Sequence, residues 1–329
     1  MTGDASATTP IGLVDVRATR ERIASFVGRT PVVRTWSGVA LKAESLHAAG
    51  SFKIRGASNS MAALETGTAG VVAHSSGNHA IAVAEAGRRL GVRTVIVMPH
   101  DAPAAKLDRT RALGAEVHLV GNASAERVRV AGELAAAHGL VMIEPYDSAH
   151  VVSATGTISL ELMEDEPAVR EIHVAISGGG LAAGVAAAAH LLARERGHDV
   201  RVVGVEPEVA ADALASRRAG HVVTLPAEQM ARTIADGLRV QHVGSITWPY
   251  VERYVDDIVT VTEDEIRDAM RLAARECRLV VEPSGAVPIA AAVAGRGSQV
   301  PPEQRAAIVG GGNVDPALLA EILGSGGNG

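Results

Sequence analysis

Apolar residues in this chain recur as short, β-branched runs set between alanine-rich stretches of helical period. Val71 to Ala73, Thr94 to Met98, Glu116 to Val120 and Val141 to Ile143 form one series; Glu171 to Ile176, Arg201 to Val205, Asp257 to Val261 and Ala306 to Val309 form a second. Such runs between helices predict parallel sheets covered on both faces. Two series predict two α/β units rather than one.

Ahead of the first series, Val14 to Val27 has helical spacing, Gly28-Arg29-Thr30-Pro31 breaks it, and Pro31-Val32-Val33 turns extended. A short strand over Val39 to Ala43 leads to Gly50-Ser51-Phe52-Lys53-Ile54-Arg55-Gly56-Ala57, where Ser51 is placed to cap a helix running to Leu64. No repeat of solenoid length is visible. The tail, Gly324 to Gly329, lacks apolar anchors and reads as disordered, with no further regulatory domain expected.

Composition narrows the class. A chain of 329 residues with 47% apolar content can bury a core without staples. A formal charge of -6, no block of like charges and 2% aromatic residues disfavour nucleic acid as a partner. No apolar run is long enough for a membrane span, and Met1 to Pro10 lacks a leader pattern, so a soluble cytoplasmic protein is expected. The single cysteine, Cys277, excludes a disulfide framework. Within the helical run Glu263 to Arg278 it reads as a small buried hydrophobe.

Candidate chemistry gathers at strand ends. His74-Ser75-Ser76-Gly77-Asn78-His79 lies between a strand and a helix, where exposed N–H groups favour a carboxylate. A capped helix after a serine-rich loop is the plainer alternative. Ser177-Gly178-Gly179-Gly180-Leu181 lets backbone wrap a phosphate, yet Gly178-x-Gly180-x-x-x-Gly184 with Glu206 after the next strand also approaches a dinucleotide fingerprint. The turn alone leaves both open.

Gly310-Gly311-Gly312-Asn313-Val314-Asp315 is either a ligand approach or a turn capped by Asn313 or Asp315. Glu206 and Asp212, with the carbonyl of Ala210 between them, could hold magnesium or calcium, or could simply stabilise a helix start. A lone lysine such as Lys53 is ordinarily a solvated charge.

Taken together and in order, GSFKIRGA at Gly50, SSGNHA at Ser75, SGGGLAAG at Ser177, VEPEVAAD at Val205, TIADGL at Thr233, VEPSGAV at Val281 and GGNVD at Gly311 carry a resemblance. The chain resembles the fold type II pyridoxal-phosphate enzymes, most closely the threonine/serine dehydratase and serine racemase group. This joint context sets the dinucleotide alternative aside.

The resemblance implies two open parallel-sheet α/β domains, tryptophan synthase β-like, with the cofactor in the cleft between them. The large cofactor-binding domain is expected over 1–60 and 147–329, and a small mobile domain over 61–146. Lys53 looks like the Schiff-base lysine and Phe52 like the residue against the cofactor ring. Asn78 matches the partner of the phenolic oxygen; Gly178, Gly179, Gly180 and Leu181 match the phosphate loop. Ser75, Ser76, Asn78 and His79 match the substrate-carboxylate turn, with Ser76 the acid/base opposite the lysine. Glu282 matches an acid near the ring, with a helix-start carboxylate before Pro283 as the alternative. Glu206, Ala210 and Asp212 match a divalent-cation site.

Pyridoxal phosphate, an amino-acid substrate and a homodimer follow as expectations. The expected activity is β-elimination of a β-hydroxy amino acid such as L-threonine or L-serine to a 2-oxo acid and ammonia. The alternatives are racemisation, or action on another β-substituted amino acid. A non-catalytic cofactor-dependent binding protein is the rival from another class. Two positions depart from the family: Gly310 stands where a serine beside the pyridine nitrogen is usual, and Ile81 where glutamine is usual. Ser45 and His47 likewise replace the common asparagine and glutamine. These departures are expected near cofactor or substrate contacts.

Overall fold

The structure is a computed structural model that describes residues 10–325 apart from 76, 103 and 122. Ten strands form two sheets. Val32–Arg34 (β1), Ala40–Lys42 (β2), Glu171–Ala175 (β7), Arg201–Pro207 (β8), Asp257–Val261 (β9) and Arg305–Ile308 (β10) make the first. Its order is β1-β2-β10-β7-β8-β9, parallel except for β1 against β2. Val71–His74 (β3), Thr94–Pro99 (β4), Glu116–Val120 (β5) and Val141–Met142 (β6) make the second, all parallel in the order β5-β4-β3-β6.

The lack of polar alternation in the strands has a direct cause. Successive side chains point to opposite faces of a sheet, and here both faces are covered. On the first sheet Ile172, Val174, Val202, Ala306 and Ile308 enter one core, while Val203, Val205, Ala307 and Val309 enter the other. On the second, Val71, Ala73, Ile96 and Met98 face one core and Val72, Val95 and Val97 the other.

Helices Leu13–Ile23 (α1) and Lys53–Ala62 (α2) precede the second sheet; Asn78–Leu90 (α3), Ala104–Ala112 (α4) and Ser124–His138 (α5) cross between its strands. Ala149–Asp165 (α6) and Gly180–Glu195 (α7) then pack tightly together. A β-carbon at Gly184 would lie 2.0 Å from Thr155 Oγ1 and 2.2 Å from the Val152 carbonyl, so this glycine serves a helix crossing rather than a ligand turn. Asp212–Ala219 (α8), Ala227–Met230 (α9), Trp248–Tyr254 (α10), Glu263–Leu272 (α11), Pro283–Ala294 (α12) and Pro316–Gly324 (α13) complete the helices.

Several local expectations change. Ser51 does not cap α2: it pairs with Gly311 in an isolated antiparallel bridge, and Phe52 occupies the N-cap position. The run after Glu263 breaks into a π-helical turn over Ala273–Cys277, closed by Arg278 at a positive φ of 58°. That turn leaves Cys277 half-buried rather than in the core. Gly324 ends α13 instead of opening a loose tail, and residues 326–329 lie outside the described residues, as do 1–9.

Candidate active site

Lys53 opens α2, directly after the bridge that ties Ser51 to Gly311. The Phe52 amide donates to the Gly310 carbonyl at 2.9 Å and the Gly312 amide to the Gly50 carbonyl at 2.9 Å. Two loops distant in sequence are therefore joined at the lysine. Behind it, Arg55 is fully buried and hydrogen-bonds Glu44 and Glu161, and Lys42 Nζ also reaches Glu161 at 2.7 Å. Burial alone would push the Glu44 carboxyl up, but Arg55 and then His47 hold it well below its ordinary range. This enclosed ion cluster fixes the start of α2 against α6.

Lys53 Nζ donates to the Pro145 carbonyl at 2.6 Å and lies 5.1 Å from the centroid of the Phe52 ring. The residue is half-buried; desolvation lowers its ammonium to about 8, partly opposed by Glu282. One residue chain-wise before Glu144, the Ile143 carbonyl accepts from His79 Nε2 at 2.9 Å. Burial, with Lys53 nearby, brings the His79 imidazolium down to about 3, so the ring is neutral with its proton on Nε2.

Asn78, at the start of α3, donates through Nδ2 to Glu282 Oε1 at 2.6 Å and accepts at Oδ1 from Asn313 Nδ2 at 2.7 Å. Glu282 is the N-cap residue of α12, yet it makes no side-chain cap bond, so the helix-start alternative does not describe its carboxylate. Burial and then Asp236 raise that carboxyl to about 7, against hydrogen bonds from Asn78 and the Asn313 amide. Asn313 is likewise no cap; Asp315 alone caps α13, accepting from Ala317 N at 2.7 Å.

The Ser177 turn is a cradle of bare backbone. A β-carbon at Gly178 would lie 2.3 Å from Tyr146 Cδ2, one at Gly179 2.7 Å from Thr247 Oγ1, and one at Gly180 2.7 Å from the Tyr146 carbonyl. Gly179 has φ of 88°, which a side chain would strain. Ser177 Oγ is buried without a partner, and the first turn of α7 directs its free N–H groups outward. Gly310 faces Phe52 and Leu181: a β-carbon there would sit 3.4 Å from Phe52 Cδ1 and 3.8 Å from Leu181 Cδ2.

Thus Phe52, Lys53, Asn78, Leu181, Glu282 and Gly310 converge. Ser75 Oγ accepts from the Gly77 amide at 3.1 Å within its own turn, and Ser76 lies outside the described residues. Ile81 turns away from the cleft; it is 1% exposed and packs in the core under α3, which corrects its expected place near a ligand. Sequence reasoning missed Pro145, Tyr146 and Arg109, whose partners are set only by tertiary packing. It also missed the role of Asn313, although its neighbouring glycines signalled a close approach.

Glu206 and Asp212 are both buried and interact with each other, with His242 and Val243 close to Asp212. Both Glu206 oxygens accept amides at the start of α8, from Ala213 at 2.9 Å and Leu214 at 2.8 Å. Both Asp212 oxygens are buried without a partner. Burial, and for Glu206 then Asp212, raises Glu206 well above its usual range; burial raises Asp212 to about 7. A buried carboxylate without a partner, beside a second one whose oxygens accept only backbone amides, fits a hard cation. Among the described residues no cluster of three or more His, Cys, Asp or Glu stands ready for a metal, so a backbone carbonyl such as that of Ala210 would have to complete the set.

A cleft that joins a desolvated lysine, a bare glycine cradle at a helix start and a buried carboxylate relay fits a phosphorylated carbonyl cofactor. The chain belongs to the pyridoxal-phosphate dependent enzyme family, which it matches over residues 23–311. It is 40% identical over 321 residues to the serine racemase of Oryza sativa subsp. indica, covering 94% of this chain and 92% of that one. The L-threonine ammonia-lyase of Thermotoga maritima is 37% identical over 325 residues, covering 96% and 79%. The structure of maize serine racemase superposes with a TM-score of 0.88 at 38% identity, covering 96% of this chain and 98% of that one. These are fold type II relatives, in keeping with the two parallel-sheet units. No helix among the described residues is long and apolar enough to cross a membrane.

Proposed function

We propose that the protein converts a β-hydroxy amino acid, with L-threonine and L-serine the first substrates to try, into a 2-oxo acid and ammonia. The observation that carries this reading is Lys53, an amine on the Pro145 carbonyl and beside the Phe52 ring that burial brings to about 8 against the opposing pull of Glu282. An amine in that range can hold or release a proton near neutral pH. When bound, pyridoxal phosphate supplies the electron sink for charge left at the substrate Cα.

In this reading Lys53 anchors the cofactor and its Nζ, once free, takes the α-proton. Phe52 would lie along the ring, with Glu282 and Gly310 beside it, and Asn78 would meet the phenolic oxygen. The amides of Gly178, Gly179, Gly180 and Leu181 would hold the phosphate. Ser75, Ser76, Asn78 and His79 orient the substrate carboxylate. Loss of the β-hydroxyl as water, followed by addition of water and release of ammonia, balances the reaction. Magnesium or calcium would sit on Glu206, Asp212 and the Ala210 carbonyl as a structural element.

The domain division at 1–60 with 147–329 against 61–146, a cytoplasmic homodimer and closure of the smaller unit over substrate belong to the same proposal. The strand series supports the division, because all strands of the second sheet fall within 61–146.

Racemisation is the second reading, favoured by the similarity to serine racemases. It requires a proton returned by Ser76 from the face opposite Lys53. Assay of keto acid and ammonia against chiral analysis of recovered substrate separates the two. Lys53→Ala should lower either activity by about 10²–10⁴-fold and abolish trapping of the cofactor by borohydride. Undiminished turnover in that variant, with no cofactor trapped in the native protein, would end the proposal.

A further inference from the structure

A hydrogen-bonded chain runs from the surface of α4 to the buried carboxylate of Glu282, and its direction is forced. Arg109 Nη1 donates to Asn313 Oδ1 at 2.7 Å. A guanidinium can only donate, so that end of the Asn313 amide must be oxygen. The Ala49 carbonyl can only accept, and Asn313 Nδ2 donates to it at 2.9 Å. The other hydrogen of Nδ2 then goes to Asn78 Oδ1, which leaves Asn78 Nδ2 facing Glu282 Oε1. Arg109 Nη2 also donates to the Ala48 carbonyl at 2.7 Å, so one side chain grips both the amide and the segment that presents Ala49.

We propose that Arg109 and Asn313 are positioning residues that lock the Asn78 amide in one orientation, so that Glu282 receives a hydrogen bond there and is held as a carboxylate. Were Asn78 reversed, its oxygen would face Glu282, and only a protonated carboxyl could meet it. Arg109 stands on α4, between strands of the second sheet, whereas Asn313, Ala48 and Glu282 belong to segments around the first. The relay is therefore complete only when α4 lies against those segments, where Lys106 also meets Asp236 at 3.1 Å.

Every charged group around Glu282 bears on the outcome. Asp236 raises its carboxyl, while Lys106 from α4 and the Asn313 amide lower it, and Lys53 from α2 interacts with it across the cleft. With the balance near neutrality, the sense of one hydrogen bond decides the protonation state at working pH.

The test uses the full chain in two forms. In the cofactor-free protein, the carboxyl of Glu282 is titrated by difference infrared spectroscopy against Glu282→Gln. Arg109→Met and Asn313→Leu, which cannot sustain the relay, should move its midpoint up by about one pH unit, the scale of one hydrogen bond to a charged group. Arg109→Lys retains a donor and should stay within about 0.3 unit of the native protein. In the reconstituted enzyme, the acid limb of kcat/KM and the pH midpoint of the cofactor's visible spectrum should shift to higher pH with the first two variants only.

Native midpoints in both Arg109→Met and Asn313→Leu would overturn the proposal, as would an Arg109→Lys shift equal to that of Arg109→Met. Thermal unfolding identifies a variant that fails to fold, and the other then carries the test. The inference rests on the proposed function only in its reconstituted arm. An infrared shift without cofactor binding would support the relay while removing that function.

Discussion

Arg55 and Glu44 form a two-pronged pair, Nε to Oε2 at 2.7 Å and Nη2 to Oε1 at 2.8 Å, two residues beyond the lysine that opens the cleft. Both side chains are buried, and Glu161 with Lys42 keeps the cluster at two cations and two carboxylates. Arg55→Met removes one of those two cations, so that two buried carboxylates are left with Lys42 between them. It should cost about 3–5 kcal/mol in denaturant unfolding. Because the pair seats α2, any folded fraction should also bind cofactor more weakly.

Gly310 and Gly311 should respond in opposite ways to the same substitution. Gly310→Ser places its β-carbon in ordinary contact with Phe52 and Leu181, so stability should change by no more than about 0.5 kcal/mol. In the proposed placement of the cofactor ring beside Gly310, the added hydroxyl should move both the visible spectrum and turnover. Gly311→Ser would bring a β-carbon 2.2 Å from Glu282 Oε1, costing about 1–3 kcal/mol and disrupting the carboxylate. If Gly310→Ser changed neither spectrum nor turnover, the proposed place of Gly310 beside the cofactor ring would be abandoned.

His79 should make stability depend on acidity. Its folded-state value is about 3 against an ordinary 6.5. Between those limits the unfolded chain binds a proton that the folded chain does not, so stability rises with pH across the window and falls on acidification. His79→Gln can still donate to the Ile143 carbonyl but does not titrate. Its unfolding free energy measured from pH 4 to 6 should lose a slope of about 1.4 kcal/mol per pH unit. An unchanged slope would assign the acid sensitivity elsewhere.

The Glu206 and Asp212 pair should respond to divalent cations. Both carboxyls are raised, Asp212 to about 7, so ionising them opposes folding as pH rises above the ordinary carboxylate range unless a cation joins them. Magnesium or calcium at 100 times its Kd should stabilise by about 2.7 kcal/mol, and a chelator should reverse this. Asp212→Asn should be at least as stable as the native chain without cation and show no response to it. A cation response that survived in that variant would place the ion at another site.

Much of the architecture was legible because its physics is local. Strands β5 and β9 have the bounds that their apolar runs predict, although both are edge strands and only partly buried. Ser51 was misplaced because its amide environment depends on Gly311, far along the chain. Cys277 was misplaced because a π-turn shifts its face by more than any periodicity reveals. Lys53, Asn78 and Glu282 could be singled out by resemblance, but their mutual geometry depends on strand ends meeting across two sheets. Arg109 carried no sequence signal, being one of two arginines on α4.

The stitch between the lysine segment and the Gly310 turn bears on how the protein is made. The strands of the second sheet are consecutive in sequence, so that unit can form early on the ribosome. The first sheet cannot close then, because β10, which follows every other described strand in the chain, is an inner strand between β2 and β7. Until β10 emerges, the Phe52 amide lacks its Gly310 acceptor and the lysine has no assembled surroundings. A nascent chain therefore carries the Lys53 segment without its Gly310 partner until β10 has been made, and late closure of such long-range contacts should set its folding rate.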